Sequence, residues 1–132
     1  MSIVPTKDQF KALLKLPKDQ PVSMVNLLKF KAVADDGQES GAAAYARYMK
    51  NVAPLIQREG GRVVWMGEAR SLYIGVAGTD DWDRVVIVEY PNPRAFIRMN
   101  STEEYAAVHP DREAGLERTV LLVSAAEPLP VQ

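Results

Sequence analysis

WDRVVIVEYPNPRAFIRMN, residues 82–100, carries the reading on which the fold turns. In strand geometry Val85, Ile87 and Glu89 point to one side and Val86, Val88 and Tyr90 to the other, so the strand is apolar on both faces. Asn92 followed by Pro93 is a helix start, a capping side chain and then a fixed φ, and Ala95, Phe96 and Met99 supply the buried side of that helix. One face of the strand has its cover in the helix that follows. The other face needs a second one.

Upstream, VSMVNLLKF (22–30) reads as another strand apolar on both sides, with Met24, Asn26, Leu28 and Phe30 on one face and Val25, Leu27 and Lys29 on the other. A polar loop follows, and then Tyr45, Tyr48, Met49, Val52, Leu55 and Ile56 form the stripe of an amphipathic helix. Ser40 is its N-cap and Gly60-Gly61 its stop. Pro54 inside it predicts a kink or a tightened last turn. RVVWMGEARSLYIG (62–75) predicts a strand disturbed near Gly67. Downstream, Ser101 and Glu104 have capping-box spacing for a helix carrying Tyr105 and Val108. That helix is expected to end at His109, with Pro110 opening a short turn that Gly115 closes before a last strand, RTVLLV (118–123). At the N-terminus Thr6 and Gln9 form another capping box, for a short helix with Phe10, Leu13 and Leu14 on one face that Pro17 ends.

Residues 1–20 are therefore a helical extension and linker, and the tail 125–132, with its two prolines, is extended. Without the extension the order is β-α-β-β-α-β, the ferredoxin-like split βαβ arrangement. The fold class is α+β, with right-handed crossovers placing both main helices on one face of a four-stranded antiparallel sheet. A second copy is the natural cover for the open, apolar face, and the expected partner is the chain itself in a homodimer. The alternative covers are the N-terminal helix or the tail, and one short helix is small for a four-stranded sheet.

At 132 residues the chain has the length of one domain, 1–132. Sixteen basic and seventeen acidic side chains leave a net charge of -1, so no global field recruits nucleic acid or an anionic membrane surface. The lysines are dispersed, with no aromatic interleaved in stacking register. Having no cysteine and a single histidine, the sequence offers no disulfide framework, thiol nucleophile or structural zinc site. No apolar run has signal-peptide or membrane-spanning length, and a cytoplasmic location is the default expectation.

NLLKF, AYARYMKNVAPLIQREGGRVVWMG, WDRVVIVEYPNPRAF and STEEYAAVHPDREAGLERTVLL, in this order, resemble the domain-of-unknown-function family numbered 1330 over roughly residues 22–124. Gly60-Gly61, the Glu-aromatic-Pro at 89–91 and the Ser-x-x-x-Tyr at 101–105 are the more specific features. The resemblance implies a dimeric α+β barrel. Relatives with that barrel include cofactor-free monooxygenases of aromatic polyketides, muconolactone isomerases and haem-dependent peroxidases, and fold does not choose among them. The N-terminal helix and the 35–41 loop depart from shorter members of the family.

Two residues are candidates for proton transfer. Glu89 matches the family's glutamate and lies on an apolar strand face, where desolvation raises a carboxyl pKa unless a cation such as Arg62 or Arg118 pairs with it. His109 has the pKa for proton shuttling, although a helix end before a proline also explains it. Asn26 and Trp65 are expected to join Glu89 in one cavity as an amide and a flat wall. Tyr45 is core with a hydroxyl in reach of the pocket, and Arg112 is placed to meet an anionic ligand. The reading is a small cofactor-independent enzyme for an aromatic or lactone-like molecule, with no metal. The alternatives are a non-catalytic dimeric binding or assembly module, and a haem protein with His109 as the only available proximal ligand.

Overall fold

A computed structural model describes residues 4–130; the ends of the predicted extension and tail, 1–3 and 131–132, lie outside the described residues. The elements are α1 (Lys7–Leu14), β1 (Val22–Phe30), α2 (Gly41–Arg58), β2 (Arg62–Glu68), β3 (Arg84–Tyr90), α3 (Pro93–Asn100), α4 (Glu103–Gly115) and β4 (Leu116–Ser124). The four strands form one antiparallel sheet in the order β2-β3-β1-β4, the ferredoxin-like arrangement. Residues 125–130 carry no regular structure.

Local chemistry starts the helices where the sequence predicts, with one exception. Thr6 and Gln9 close a full capping box on α1, Ser40 caps α2 and Asn92 caps α3 with Pro93 in its first turn. At α4 the cap is Thr102, whose hydroxyl accepts from the Tyr105 N–H at 3.1 Å, while Ser101 donates its hydroxyl back to the Ile97 carbonyl. Gly60 adopts φ +80° to end α2, a conformation in which a Cβ is strained.

The expected break at Pro110 is absent, because α4 runs unbroken through it to Gly115. An interior proline costs an isolated helix about 3 kcal/mol, and here α2–α4 packing offsets it. Tyr48 and Tyr105 meet edge-on at 6.2 Å, Arg47 forks onto Asp111, and Gly41 crosses Gly115 with backbone in contact. Tertiary packing also moves the β2 irregularity from Gly67 to between Val63 and Trp65, where the β2–β3 register shifts. The strand ends at Glu68 rather than continuing to Gly75.

Helices and sheet enclose a core that includes Met24, Leu28, Tyr45, Val52, Val86 and Tyr90, all under 3% exposed. In antiparallel ladders directly paired residues share a face, and the pairs Met24↔Val88 and Asn26↔Val86 therefore define the helix side. The opposite face carries Val25 and Leu27 from β1, Val85 and Ile87 from β3, Leu122 from β4 and Trp65 from β2. Among the described residues no helix packs there. The predicted alternative cover, α1, lies instead against α3, with Leu13 and Leu14 beside Pro93 and Ile97.

Candidate functional site

On the helix side, the chain of polar contacts begins on α2 and ends on α4. Tyr48 and Tyr105 bring their hydroxyls to 3.0 Å, the Tyr105 hydroxyl lies 3.2 Å from His109 Nδ1, and His109 Nε2 lies 2.9 Å from Glu113 Oε1. A carboxylate only accepts, which assigns Nε2–H as donor to Glu113 and leaves Nδ1 to accept from Tyr105, whose oxygen then accepts from Tyr48. The hydroxyls thus point one way, toward a neutral imidazole. Burial lowers the His109 pKa from its usual 6.5, the Arg112 charge lowers it further, and Glu113 opposes both.

Tyr48 is pushed well above the ordinary phenol value by burial and by Tyr105. Tyr45 is pushed up to about 12 by burial, with Arg112 and Arg84 pulling it back. Tyr45 is only 2% exposed. Rings connect this interior to the surface: Tyr45 lies 5.3 Å from Tyr48 and 5.5 Å from Phe30, and the Arg84 guanidinium sits 5.1 Å over the Phe30 ring. Phe30 and Arg84 open onto a groove of about 630 Å³ that Ala42, Glu68, Ala69, Arg70 and Asp83 complete.

The sequence-predicted residues divide between the two faces. Trp65, 60% exposed, and Glu89 lie on the open face, whereas Asn26 lies on the helix side, so these three do not share a cavity. Asn26 donates its amide to the Met24 and Val86 carbonyls at 3.1 Å each, a local tie between β1 and β3. Glu89 pairs directly with Arg62 across β2–β3 at 3.0 Å. Exposed ion pairs contribute roughly 0–1 kcal/mol. Glu89→Gln is accordingly expected to lower stability by less than about 1 kcal/mol in urea unfolding. Arg112 is 8% exposed in the interior rather than at a rim, and its charge acts on Tyr45, Tyr48 and His109.

Sequence reasoning missed Tyr105, Glu113, Phe30 and Arg84 as members of this site. The signal for the first two was present: Tyr105, His109 and Glu113 have i, i+4, i+8 spacing. Breaking the helix at His109 hid that spacing. Among the described residues no cluster of three or more His, Asp or Glu could hold a metal ion, and no helix is long and apolar enough to cross a membrane.

Fold and site together define a ferredoxin-like α+β protein with an open apolar sheet face and an aromatic, histidine-bearing interior that reaches a groove. The chain belongs to the family described as Domain of unknown function (DUF1330), whose profile matches residues 38–126. It is similar in structure to a protein of unknown function from Rhodopseudomonas palustris, with 32% identity and a TM-score of 0.88 over 96% of this chain and 98% of that one. Two more distant likenesses show the fold alone. SnoaB, a cofactor-independent oxygenase from Streptomyces nogalater, has 15% identity and a TM-score of 0.56 over 86% of this chain and 99% of its own. A dimeric ferredoxin-like protein of unknown function from Thermobifida fusca has 12% identity and a TM-score of 0.53 over 85% and 97%. No curated protein matches the chain.

Proposed function

We propose that this protein is a homodimeric, cofactor-independent enzyme that holds a small aromatic or lactone-like molecule on the helix side of each sheet and moves a proton through His109. The observation that carries this reading is the hydrogen-bonded row Tyr48–Tyr105–His109–Glu113. Glu113, with half its side chain exposed, connects one end to solvent, and Tyr48 brings the other end against Tyr45. A neutral imidazole of lowered pKa is ready to accept a proton near neutral pH, and Glu113 stabilises the imidazolium that forms. When Nδ1 takes the proton, the Tyr105 hydroxyl must turn to accept from it. The row therefore has two orientations, one for each state of His109.

For the dimer, the support is the uncovered apolar sheet face, together with the dimeric state stated for the Thermobifida fusca neighbour. A second reading, a dimeric module that binds without catalysis, is favoured by the groove lining, to which no member of the row contributes.

The two readings separate in deuterium oxide with a panel of small aromatic acids and lactones, each followed by NMR. The enzyme is expected to place deuterium in a bound molecule, and His109→Gln to slow that exchange by about 10²- to 10⁴-fold while binding persists. Binding without exchange in the wild type would leave the module. The same variant has a stability signature: the folded His109 pKa is depressed, so the unfolded chain takes up the proton first as pH falls below 6.5. Wild-type stability is therefore expected to decline from pH 6.5 downward, and less steeply in His109→Gln.

A further inference from the structure

We propose that the Arg84 guanidinium is the carboxylate-binding group of the helix-side groove, so that the molecule held there is a small organic acid with an apolar body. This rests on the groove as the ligand site and adds the chemical class of what enters it. Arg84 opens β3, where its backbone is fixed by the ladder to Leu28 on one side and Glu68 on the other. Its guanidinium carbon lies 5.1 Å from the centroid of the Phe30 ring, a cation–π contact that spends none of its N–H groups on a carboxylate. The N–H fork of a guanidinium is suited to a bidentate carboxylate.

The carboxylates around the groove are engaged elsewhere. Glu68, the cross-strand neighbour of Arg84, accepts from Arg70 Nε at 3.1 Å. Asp83 accepts from the Phe30 N–H at 2.9 Å through one oxygen and lies 3.3 Å from Lys29 Nζ through the other. No carboxylate of the described residues lies within ion-pair distance of Arg84. Its positive charge is left facing a groove of about 630 Å³, within the size range of small-molecule sites. Phe30, Ala42 and Ala69 supply the apolar surface for the rest of the ligand.

The test uses benzoate and 4-hydroxybenzoate against their methyl esters, which keep the ring and remove the charge. Affinities come from thermal-shift titrations of the wild type, Arg84→Gln, Arg84→Lys and, as a charge control on α3, Arg94→Gln. Both acids are expected to raise the wild-type Tm and to bind at least about tenfold more tightly than their esters, since one charge-assisted contact is worth that much. Arg84→Gln should remove this preference, Arg84→Lys should retain part of it, and Arg94→Gln should leave it unchanged. Should Arg84→Gln fail to fold, Arg84→Lys carries the comparison, because it keeps the charge and loses the fork. Esters that bind as tightly as acids, or variants at position 84 with wild-type preference, would overturn the role of Arg84 and leave the groove standing. A wild type that binds neither acids nor esters would overturn the groove reading, and this inference with it.

Discussion

If the open sheet face joins two copies as proposed, Ile87→Arg is expected to leave a folded monomer. Ile87 lies near the middle of the open face, paired with Val25 on β1 and Trp65 on β2. Two copies pressed together there would bury the apolar residues of both sheets, and a stable interface of this kind removes roughly 800 Å² from each partner. Breaking in with an unpaired buried charge costs about 3–5 kcal/mol, and two-fold symmetry brings the two arginines close together. The dimer dissociation constant should rise at least about 10³-fold, as measured by analytical ultracentrifugation over a concentration series. The far-UV circular dichroism should not change, since Ile87 points away from the helix-side core. Val33→Arg, on an exposed loop residue, is the control that should stay dimeric. A wild type that sediments as a monomer at high concentration would dispose of the dimer altogether.

The second large effect is expected at Gly41. As the first residue of α2 it would ordinarily gain from alanine, by up to about 1 kcal/mol of helix propensity. Here a Cβ would collide with the Lys31 carbonyl oxygen and stand 2.5 Å from the Gly115 oxygen and 2.7 Å from the Lys31 nitrogen. All three are backbone atoms that cannot rotate away. They also hold the local hydrogen bonds, Lys31 N–H to the Gly115 carbonyl at 2.8 Å and Gly41 N–H to the Lys31 carbonyl at 3.0 Å. Gly41→Ala must separate α2 from α4 and from the end of β1, and a loss of about 3 kcal/mol or more in urea unfolding is expected, at the upper end for overpacking. Gly37→Ala makes the contrast, because its Cβ would meet nothing within 4 Å and only its φ of +72° is strained. That cost is about 1–2 kcal/mol.

Glu89 and His109 show why the site was harder to read than the fold. Alternation placed Glu89 correctly on a face with Val85 and Ile87, yet its environment depends on which residue lies across the ladder. That residue is Arg62, which converts an expected desolvated acid into a half-exposed ion pair. For His109 the local signal pointed the wrong way, since proline weakens a helix by its own geometry. The packing of α4 on α2 overrules it and brings Tyr105 and Glu113 to the two ring nitrogens. Arg84 gave no signal at all, because what distinguishes it is that the acids around it have found other partners.

The sequence by itself determined the element order, three of the four helix caps, the two-sided apolar pattern of the central strands and hence the ferredoxin-like sheet. These follow from interactions within a few residues and from the periods of strand and helix, which a single chain displays directly. Only the tertiary structure decided that α4 passes through Pro110, that Asn26 and Glu89 lie on opposite faces of the sheet, and that Arg84 lines a groove with no carboxylate of the described residues paired to it. Each of those depends on pairings across long stretches of chain, where the balance of contact, desolvation and charge is set by neighbours that folding brings together.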